Sequence, residues 1–312
     1  MAHRYPHPPA AGRRPELSQH FARDTVARLI AARLPQRPRL VVEAGAGAGA
    51  ITQALTDRRL RVIAIEKDPV LYRILRSRFA SNPQVECILG DFLELPLPGE
   101  PYAFVSNVPF GITAAVVGRL LAATPPPREA LLVVQREAAE RFSGRPRSTR
   151  VALLHAPWFE IAVEHRFRRD DFAPAPSVDC VLMRIRPRLC SLVPATLDRD
   201  YRDFINGAFG TRRQQARDAL RAYFTERQLV RLAREFGFDR HARPSEISVE
   251  AWLGLFRFHA QGRLGRGART RCRDVAPWRP RRRLTPSLHN AKLVARRNAG
   301  IQPTHYERYL EG

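Results

Sequence analysis

The sequence predicts an α/β fold in which a doubly wound, mostly parallel sheet is followed by a small all-helical domain. Strand and helix patterns alternate over residues 17–190, and the strand segments are apolar on both faces. Over residues 191–261 the apolar residues instead recur at helical spacing, and Gly or Pro breaks most of the joins. With 312 residues the chain is long enough for both units.

The first unit is predicted to contain five strands that precede loops or helices. These strands cover residues 40–44, 61–66, 85–91, 102–107 and 130–135. The helices between or after them cover residues 50–58, 69–80, 113–123 and 136–142. Segments 159–167 and 178–187 have no helical pattern between them, so they predict an antiparallel finish to the sheet. The helices predicted for the second unit cover residues 199–210, 212–224, 226–237 and 248–259.

Net charge predicts a polyanionic partner. The chain holds 53 Lys and Arg against 30 Asp and Glu, a net charge of +23. Residues 262–312, predicted to be a basic disordered tail, hold 13 of these basic and 3 of these acidic residues. The remaining 261 residues still carry a net +13, and phosphate contacts dominate non-specific affinity for such a surface. Residues 1–16, rich in Pro, His and Arg, are also predicted to be disordered.

Several classes of protein are disfavoured by what the sequence lacks. There is no run of about 18 apolar residues to predict a membrane span. The first residues contain no apolar segment typical of a secretory signal, so a cytoplasmic location is expected. The protein is also expected to be a monomer. The four cysteines form no CxxC pair, so no metal site is predicted.

A glycine loop, "EAGAGAGAIT", joins the first strand to the first helix. Gly45 and Gly47 permit a tight turn and close approach by a ligand. Together with Ala50 they also fit the dinucleotide pattern G-x-G-x-x-A. Glu66 ends the next strand, 21 residues after Gly45, where a carboxylate accepts from two ribose hydroxyls. NAD and S-adenosylmethionine both carry an adenosine ribose, so these residues leave both cofactors open.

Asp91 closes the third predicted strand, in "GDF". Ligands bind at the carboxyl ends of strands in such sheets. A carboxylate there can accept a hydrogen bond from an adenine amino group.

The tetrapeptide Asn107-Val108-Pro109-Phe110 ends the fourth predicted strand. Pro109 restricts Val108 to an extended geometry, which fixes the direction of the Val108 carbonyl. That carbonyl and the Asn107 side-chain oxygen together suit an exocyclic amine with two N–H donors. Such hydrogen bonds make the nitrogen of an adenine pyramidal and free its lone pair to attack a methyl sulfonium. Phe110 offers a face for stacking a base that has left its helix.

A set of arginines is predicted to contact RNA phosphates. They are Arg136, Arg141, Arg166, Arg168, Arg169, Arg212 and Arg213.

Seven segments occur in the order found in rRNA adenine N6-dimethyltransferases, and the chain most resembles the Erm branch of that family. The segments are "SQHF", "EAGAGAGAIT", "IEKD", "GDF", "SNVPF", "QREAAERF" and "FAPAPSVD", and the resemblance covers about residues 14–260. It implies a Rossmann-like class I methyltransferase sheet with a helical RNA-binding domain at residues 191–261. It also implies S-adenosylmethionine-dependent mono- or dimethylation of an adenine in 23S rRNA, with resistance to macrolide, lincosamide and streptogramin B antibiotics.

The resemblance also assigns roles to individual residues. His20 and Ala22 fall where the family covers the methionyl part of the cofactor, although His20 stands where Asn is more common. The full cofactor set is His20, Ala22, Gly45, Gly47, Glu66, Asp91 and Asn107, and the target adenine is held by Asn107, Val108 and Phe110. A small-subunit (16S) rRNA dimethyltransferase, a non-catalytic RNA-binding relative and an NAD-dependent oxidoreductase remain as alternatives.

Overall fold

Seven strands form the central sheet of the computed structural model, which describes residues 21–209 and 215–264. They are β2 (Leu40–Ala44), β3 (Arg61–Glu66), β4 (Val85–Leu89), β5 (Tyr102–Asn107), β6 (Glu129–Gln135), β7 (Phe159–Arg166) and β9 (Cys180–Pro187). Two further short strands, β1 (Phe21–Ala22) and β8 (Phe172–Ala173), pair with each other in antiparallel fashion. The predicted strands are all present, and the third ends two residues earlier than predicted.

The order of strands in the sheet is β4-β3-β2-β5-β6-β9-β7. The pairs from β4 to β6 are parallel, whereas β9 is antiparallel to both of its neighbours. The predicted antiparallel finish is therefore confirmed. From β2 the chain adds β3 and β4 on one side and later returns to add β5 and β6 on the other. Such a reversal leaves a crevice at the carboxyl ends of the two strands that flank it, which here are β2 and β5.

The helices of the sheet region are α1 (Asp24–Arg33), α2 (Ala50–Thr56), α3 (Pro69–Arg78), α4 (Thr113–Ala122), α5 (Arg136–Ser143) and α6 (Arg150–His155). Those that follow the sheet are α7 (Asp198–Phe209), α8 (Ala216–Leu220), α9 (Glu226–Phe236) and α10 (Val249–Leu264). Sequence reasoning identified neither α1 nor α6. The signal for α1 was present, because its buried residues Val26, Ala27, Ile30 and Ala31 recur at helical spacing.

The helix predicted over residues 212–224 was too long. Residues 212–214 lie outside the described part of the chain, and the helix that is described ends at Leu220. Thr225 caps the next helix: its hydroxyl accepts from the Gln228 amide at 3.3 Å while the Gln228 side chain accepts from the Thr225 amide at 2.9 Å. Since a capping residue is extended, the chain has to leave the helical conformation before Thr225.

One hydrophobic cluster extends from a face of the sheet into the C-terminal helices. The rings of Trp158, after α6, and Tyr201, on α7, lie 6.0 Å apart edge to face. The Tyr201 hydroxyl donates to the Leu153 carbonyl at 2.7 Å. Trp158 and Trp252 are only 4% and 0% exposed, so both are core residues. The C-terminal helices are therefore packed on the sheet. Among the described residues, no helix is both long and apolar enough to cross a bilayer.

Candidate active site

Four neighbouring strands present the predicted site residues at one edge of the sheet. Asp91 follows β4, Glu66 ends β3, the glycine loop follows β2, and Asn107 ends β5. Strands are about 4.8 Å apart, so the row from the first to the fourth is about 14 Å long. The crevice beside β2 and β5 is the expected ligand position in a sheet of this order.

The glycine loop has a backbone that only glycine adopts without strain. Gly45, Gly47 and Gly49 have φ values of +69°, +58° and +84°. The Gly45 amide donates to the Ile65 carbonyl at 2.9 Å, which ties the loop to β3. A Cβ added to Gly45 would meet nothing within 4 Å, so there is open space beside this backbone. The loop thus offers room for a ligand to lie directly against the chain.

Glu66 is buried and oriented by two backbone amides. Its Oε2 accepts from the Gly47 amide at 2.7 Å, and its Oε1 accepts from the Asp68 amide at 2.8 Å. Burial raises the pKa of Glu66, and these hydrogen bonds oppose that rise. A carboxylate has about four lone-pair sites, so the group has capacity to accept from a ribose hydroxyl while it keeps these bonds.

Glu43 forms a second buried carboxyl group beneath the loop, and sequence reasoning did not identify it. It lies in β2, is 1% exposed, and its Oε2 accepts from the Thr52 hydroxyl at 2.6 Å. Burial is the main cause that raises the pKa of Glu43 to about 8, with the nearby Glu66 adding to the rise. Glu43 is therefore mostly protonated at neutral pH and links the end of β2 to α2 without adding a full charge.

Glu43→Gln is expected to remove a pH dependence of stability. The folded pKa lies above the ordinary 4.5, so the folded state holds this proton more tightly. The free energy of unfolding of the parent therefore falls as pH rises from about 4.5 to about 8, by a few kcal/mol. Urea unfolding at pH 5, 6.5 and 8 measures this. Relative to the parent, the free energy of unfolding of Glu43→Gln should increase as pH rises. That of Glu235→Gln, a substitution at an exposed position, should not. Parallel pH curves for the parent and Glu43→Gln would contradict the assignment.

Asp91 lies two residues beyond the end of β4 and is held at both oxygens. Its Oδ1 accepts from the Leu93 amide at 2.8 Å, and its Oδ2 pairs with the Lys67 ammonium at 2.8 Å. Partial burial works against ionisation, but the hydrogen bonds from Lys67 and Leu93 outweigh it and lower the pKa of Asp91. Asp91 is therefore an ionised acceptor. Lys67 was not singled out from the sequence, although it stands next to Glu66.

Asn107 is half-buried at the last position of β5. The Val108 amide continues the sheet by donating to the Val133 carbonyl at 3.1 Å, and Val108 is only 2% exposed. Pro109 follows with φ −56° and ψ 130°, an extended geometry. The Ser106 hydroxyl donates to the Ala44 carbonyl at 2.8 Å, which ties this strand end to the residue before the glycine loop. The tetrapeptide and the loop are thus fixed relative to each other.

Phe110 begins a short 3-10 turn, Phe110–Ile112, that leads into α4. It is partly buried and packs against the hydrophobic cluster formed with α1 and α2, so one part of the ring is supported by the core. The Phe110 carbonyl accepts from the Thr113 hydroxyl at 3.2 Å, which holds the turn. Ile112, 40% exposed, lies beside it at the surface.

The other predicted site residues divide between described and undescribed parts of the chain. Ala22 is half-buried on β1, where it pairs with Phe172. His20, Arg212 and Arg213 lie outside the described residues.

The arginines predicted to contact RNA differ in their surroundings. Arg136, the first residue of α5, faces Glu137 at 3.3 Å, Glu140 at 3.8 Å and Asp179 at 3.6 Å. Asp179 also pairs with Arg169 at 3.6 Å. A phosphate would compete with these carboxylates for either guanidinium.

The remaining described arginines of this set are Arg168, Arg141 and Arg166. Arg168 pairs with Asp170 at 3.3 Å. Arg141 and Arg166 are exposed, and within residues 21–209 and 215–264 no ion pair involves them. The same described ranges contain no group of three His, Cys, Asp or Glu side chains placed to hold a metal ion.

Comparisons with known proteins identify the family to which the chain belongs. The family model described as "Ribosomal RNA adenine dimethylase" matches residues 11–261. A mycinamicin-resistance protein, MyrB, from Micromonospora griseorubida is 31% identical over 300 residues, covering 94% of each chain. A ribosomal RNA small subunit methyltransferase A from a Synechococcus is 31% identical over 255 residues, 78% of this chain and 91% of that protein. The crystal structure of the 23S rRNA methyltransferase ErmE superposes with a TM-score of 0.72 at 32% identity, covering 77% of this chain and all of that one.

Proposed function

Because the chain belongs to the ribosomal RNA adenine dimethylase family, we propose that it transfers methyl groups from S-adenosylmethionine to N6 of an adenine in 23S rRNA. Resistance to macrolide, lincosamide and streptogramin B antibiotics follows from that modification. The names of its relatives support the enzyme class, and a resistance protein matches over nearly its whole length. The residues at the ends of strands β2 to β5 support methyl transfer as the reaction.

The order of the strand ends carries the proposal. Along the sheet edge stand an amine acceptor (Asp91), a ribose acceptor (Glu66), an open glycine loop and a second amine acceptor (Asn107). S-adenosylmethionine has the same order of parts: an adenine, a ribose and a sulfonium. In that order the methyl group would lie nearest β5, where the target adenine would be held. We therefore assign Asp91, Glu66, Gly45 and Gly47 to the cofactor, with His20 and Ala22 at its methionyl end.

The β5 tetrapeptide prepares the target nitrogen. The Asn107 side-chain oxygen and the Val108 carbonyl accept hydrogen bonds from the two N6–H groups, which opposes delocalisation of the lone pair into the ring. Phe110 supports the base by stacking, and its partly buried ring is held in place by the core. When bound, S-adenosylmethionine supplies an electrophilic methyl group, so catalysis depends on positioning and electrostatics rather than on a strong general base. The surplus proton on N6 leaves to solvent after attack.

A second candidate function differs from the first only in the ribosomal subunit whose RNA is methylated. The match to the small-subunit methyltransferase of Synechococcus favours a 16S rRNA adenine as the alternative substrate. ErmE and MyrB favour the large subunit. The predicted tetrapeptide and cofactor residues would serve either reaction equally.

Labelled methyl transfer to protein-free 23S and 16S rRNA tests the proposal, with the modified base mapped by stops in reverse transcription. We expect label in 23S rRNA at one adenine. In a control reaction, S-adenosylmethionine is replaced by NAD and a labelled methyl donor that is not a sulfonium, and we expect no label in the RNA. Label confined to 16S rRNA would replace the substrate assignment by the second candidate. An absence of label in both RNAs, with intact folding, would overturn the enzymatic assignment.

The uneven surroundings of the arginines lead to a prediction about RNA affinity. Arg141→Ala and Arg166→Ala are expected to weaken RNA binding and to lower the slope of log affinity against log salt by about 0.7–0.9 each. Arg136→Ala is expected to have a smaller effect, because three carboxylates already surround that guanidinium. Filter binding between 50 and 200 mM salt (roughly the range in which such slopes are measured) provides the comparison. Equal slopes for all three variants would contradict it.

A further inference from the structure

The last turn of α3 lies against the glycine loop. The Arg78 guanidinium donates through Nη1 to the Ala48 carbonyl at 2.9 Å. On the neighbouring residue of the loop, a Cβ at Gly49 would lie 2.5 Å from the Phe79 ring and 2.9 Å from Leu75. One donor and two apolar side chains of the same helix end therefore hold the last two residues of the loop.

The residue that caps the first turn of α3 holds the Glu66 carboxylate in a similar way. The Asp68 amide donates to Glu66 Oε1 at 2.8 Å, and Asp68 Oδ1 in turn accepts from the Val70 amide at 2.7 Å, which caps the helix. The helix has ten residues and is thus about 15 Å long. One end of this short helix therefore contacts Glu66 and the other contacts Ala48 and Gly49, in addition to the direct bond from the Gly47 amide to Glu66.

We propose that Arg78 is a positioning residue for the cofactor: its bond to Ala48 sets the glycine loop relative to Glu66 before any ligand binds. This inference rests on the proposed function for the identity of the ligand. A guanidinium donating to a carbonyl is a charge-assisted hydrogen bond, which is stronger than a neutral one. Holding a loop in its binding geometry reduces the ordering cost of association, so the benefit is expected in cofactor affinity. Arg78 does not touch the reacting atoms.

The surroundings of Arg78 separate it from other arginines of the same helix. Arg78 is partly buried, with its guanidinium carbon 5.3 Å from the centre of the Phe79 ring. Arg76, two residues earlier, is exposed. Arg76→Met is therefore a matched control, since it removes the same charge from the same helix without touching the loop.

The test uses the full chain with Arg78→Met, Arg78→Lys and Arg76→Met. Calorimetry gives the Kd for S-adenosylmethionine, filter binding gives the Kd for rRNA, and thermal unfolding gives the Tm. Hydrogen exchange of the Gly47 and Gly49 amides in the ligand-free protein reports the loop directly. Methyl transfer at saturating cofactor gives kcat, so that a change in KM can be told from a change in kcat.

We expect Arg78→Met to weaken cofactor binding by about tenfold to hundredfold, the range for loss of a hydrogen bond from a charged group. The loop amides should exchange faster, RNA affinity and kcat should stay close to the parent, and Arg78→Lys should recover part of the affinity. Arg76→Met should match the parent. Equal cofactor affinity and loop exchange in Arg78→Met and Arg76→Met would overturn the inference, as would a parallel loss of cofactor and RNA binding with a large fall in Tm in both Arg78 variants.

The same measurements separate this inference from the proposed function. If the parent protein binds S-adenosylmethionine but methylates neither rRNA, the substrate proposal fails and the effect on cofactor affinity still decides the role of Arg78. If the parent does not bind this cofactor, the proposed function fails and loop exchange alone decides whether Arg78 holds the loop.

Discussion

Asn107→Ala is expected to lower kcat for methyl transfer by at least about 10²–10³-fold, the effect of removing one aligned polar group from a transition state. Asn107 ends β5, where the Val108 amide is bonded to Val133 at 3.1 Å and Ser106 is bonded to Ala44 at 2.8 Å. The backbone around Asn107 is therefore held independently of its side chain. The substitution removes the side-chain acceptor while the contacts of Ser106 and Val108 remain, so the loss should appear in the chemical step.

Single-turnover methylation of rRNA with saturating S-adenosylmethionine measures this effect, and binding assays show whether RNA affinity stays within a few-fold of the parent. Asn206→Ala is the control, because Asn206 is an exposed residue of α7 that contacts Arg150 at 3.3 Å, away from the sheet edge. An Asn107→Ala protein with parental kcat would refute the amine-acceptor role, whatever the activity of the control.

Much of the fold could be predicted because its signals are local. The strands of the sheet are apolar runs buried on both faces, such as β2 and β5, and they can be recognised without knowing their neighbours. The glycine loop was also recognisable, since the three positive φ angles can be adopted readily only by glycine. Strand ends then locate Glu66 and Asn107. The resemblance supplied the roles, but the positions follow from where the strands stop.

The contacts that hold the site together could not be predicted, because they join residues far apart in sequence. The bond from Ser106 to Ala44 spans 62 residues, and the bond from Arg78 to Ala48 spans 30. Neither Ser106 nor Arg78 is distinguished by residue type or spacing from the many other serines and arginines of the chain. Glu43 was missed for another reason: a carboxyl in an apolar strand is recognisable as unusual, but only the structure shows that Thr52 satisfies it.

The arginines show the same distinction between residue type and environment. A basic segment such as residues 166–169 predicts phosphate contacts equally for each member. All three arginines of this segment are exposed, but Arg168 pairs with Asp170 and Arg169 with Asp179, whereas no ion pair among the described residues involves Arg166. Net charge identifies the class of partner, and ion pairing decides which side chains are available to it.

Gly49→Ala is expected to reduce both stability and cofactor affinity. Gly49 has φ +84°, where an L side chain costs about 1–2 kcal/mol, and its Cβ would lie 2.5 Å from the Phe79 ring. Phe79 is only 5% exposed and Leu75 is fully buried, so neither can move away without disturbing the core. We expect the free energy of unfolding to fall by about 2–4 kcal/mol. Calorimetry should show cofactor affinity lowered by about tenfold or more, because the loop has to shift away from α3.

Gly118→Ala provides the matched control for Gly49→Ala. Gly118 is exposed in the interior of α4, and a Cβ there would meet nothing within 4 Å. The same chemical change should therefore stabilise the protein by about 0.5–1 kcal/mol and leave cofactor affinity unchanged. Urea unfolding and calorimetry on both variants separate the strain and clash expected in Gly49→Ala from the gain in helix propensity expected in Gly118→Ala. Similar unfolding free energies for the two variants would contradict the close packing of α3 on the loop, and parental cofactor affinity in Gly49→Ala would show that the geometry of the loop does not limit cofactor binding.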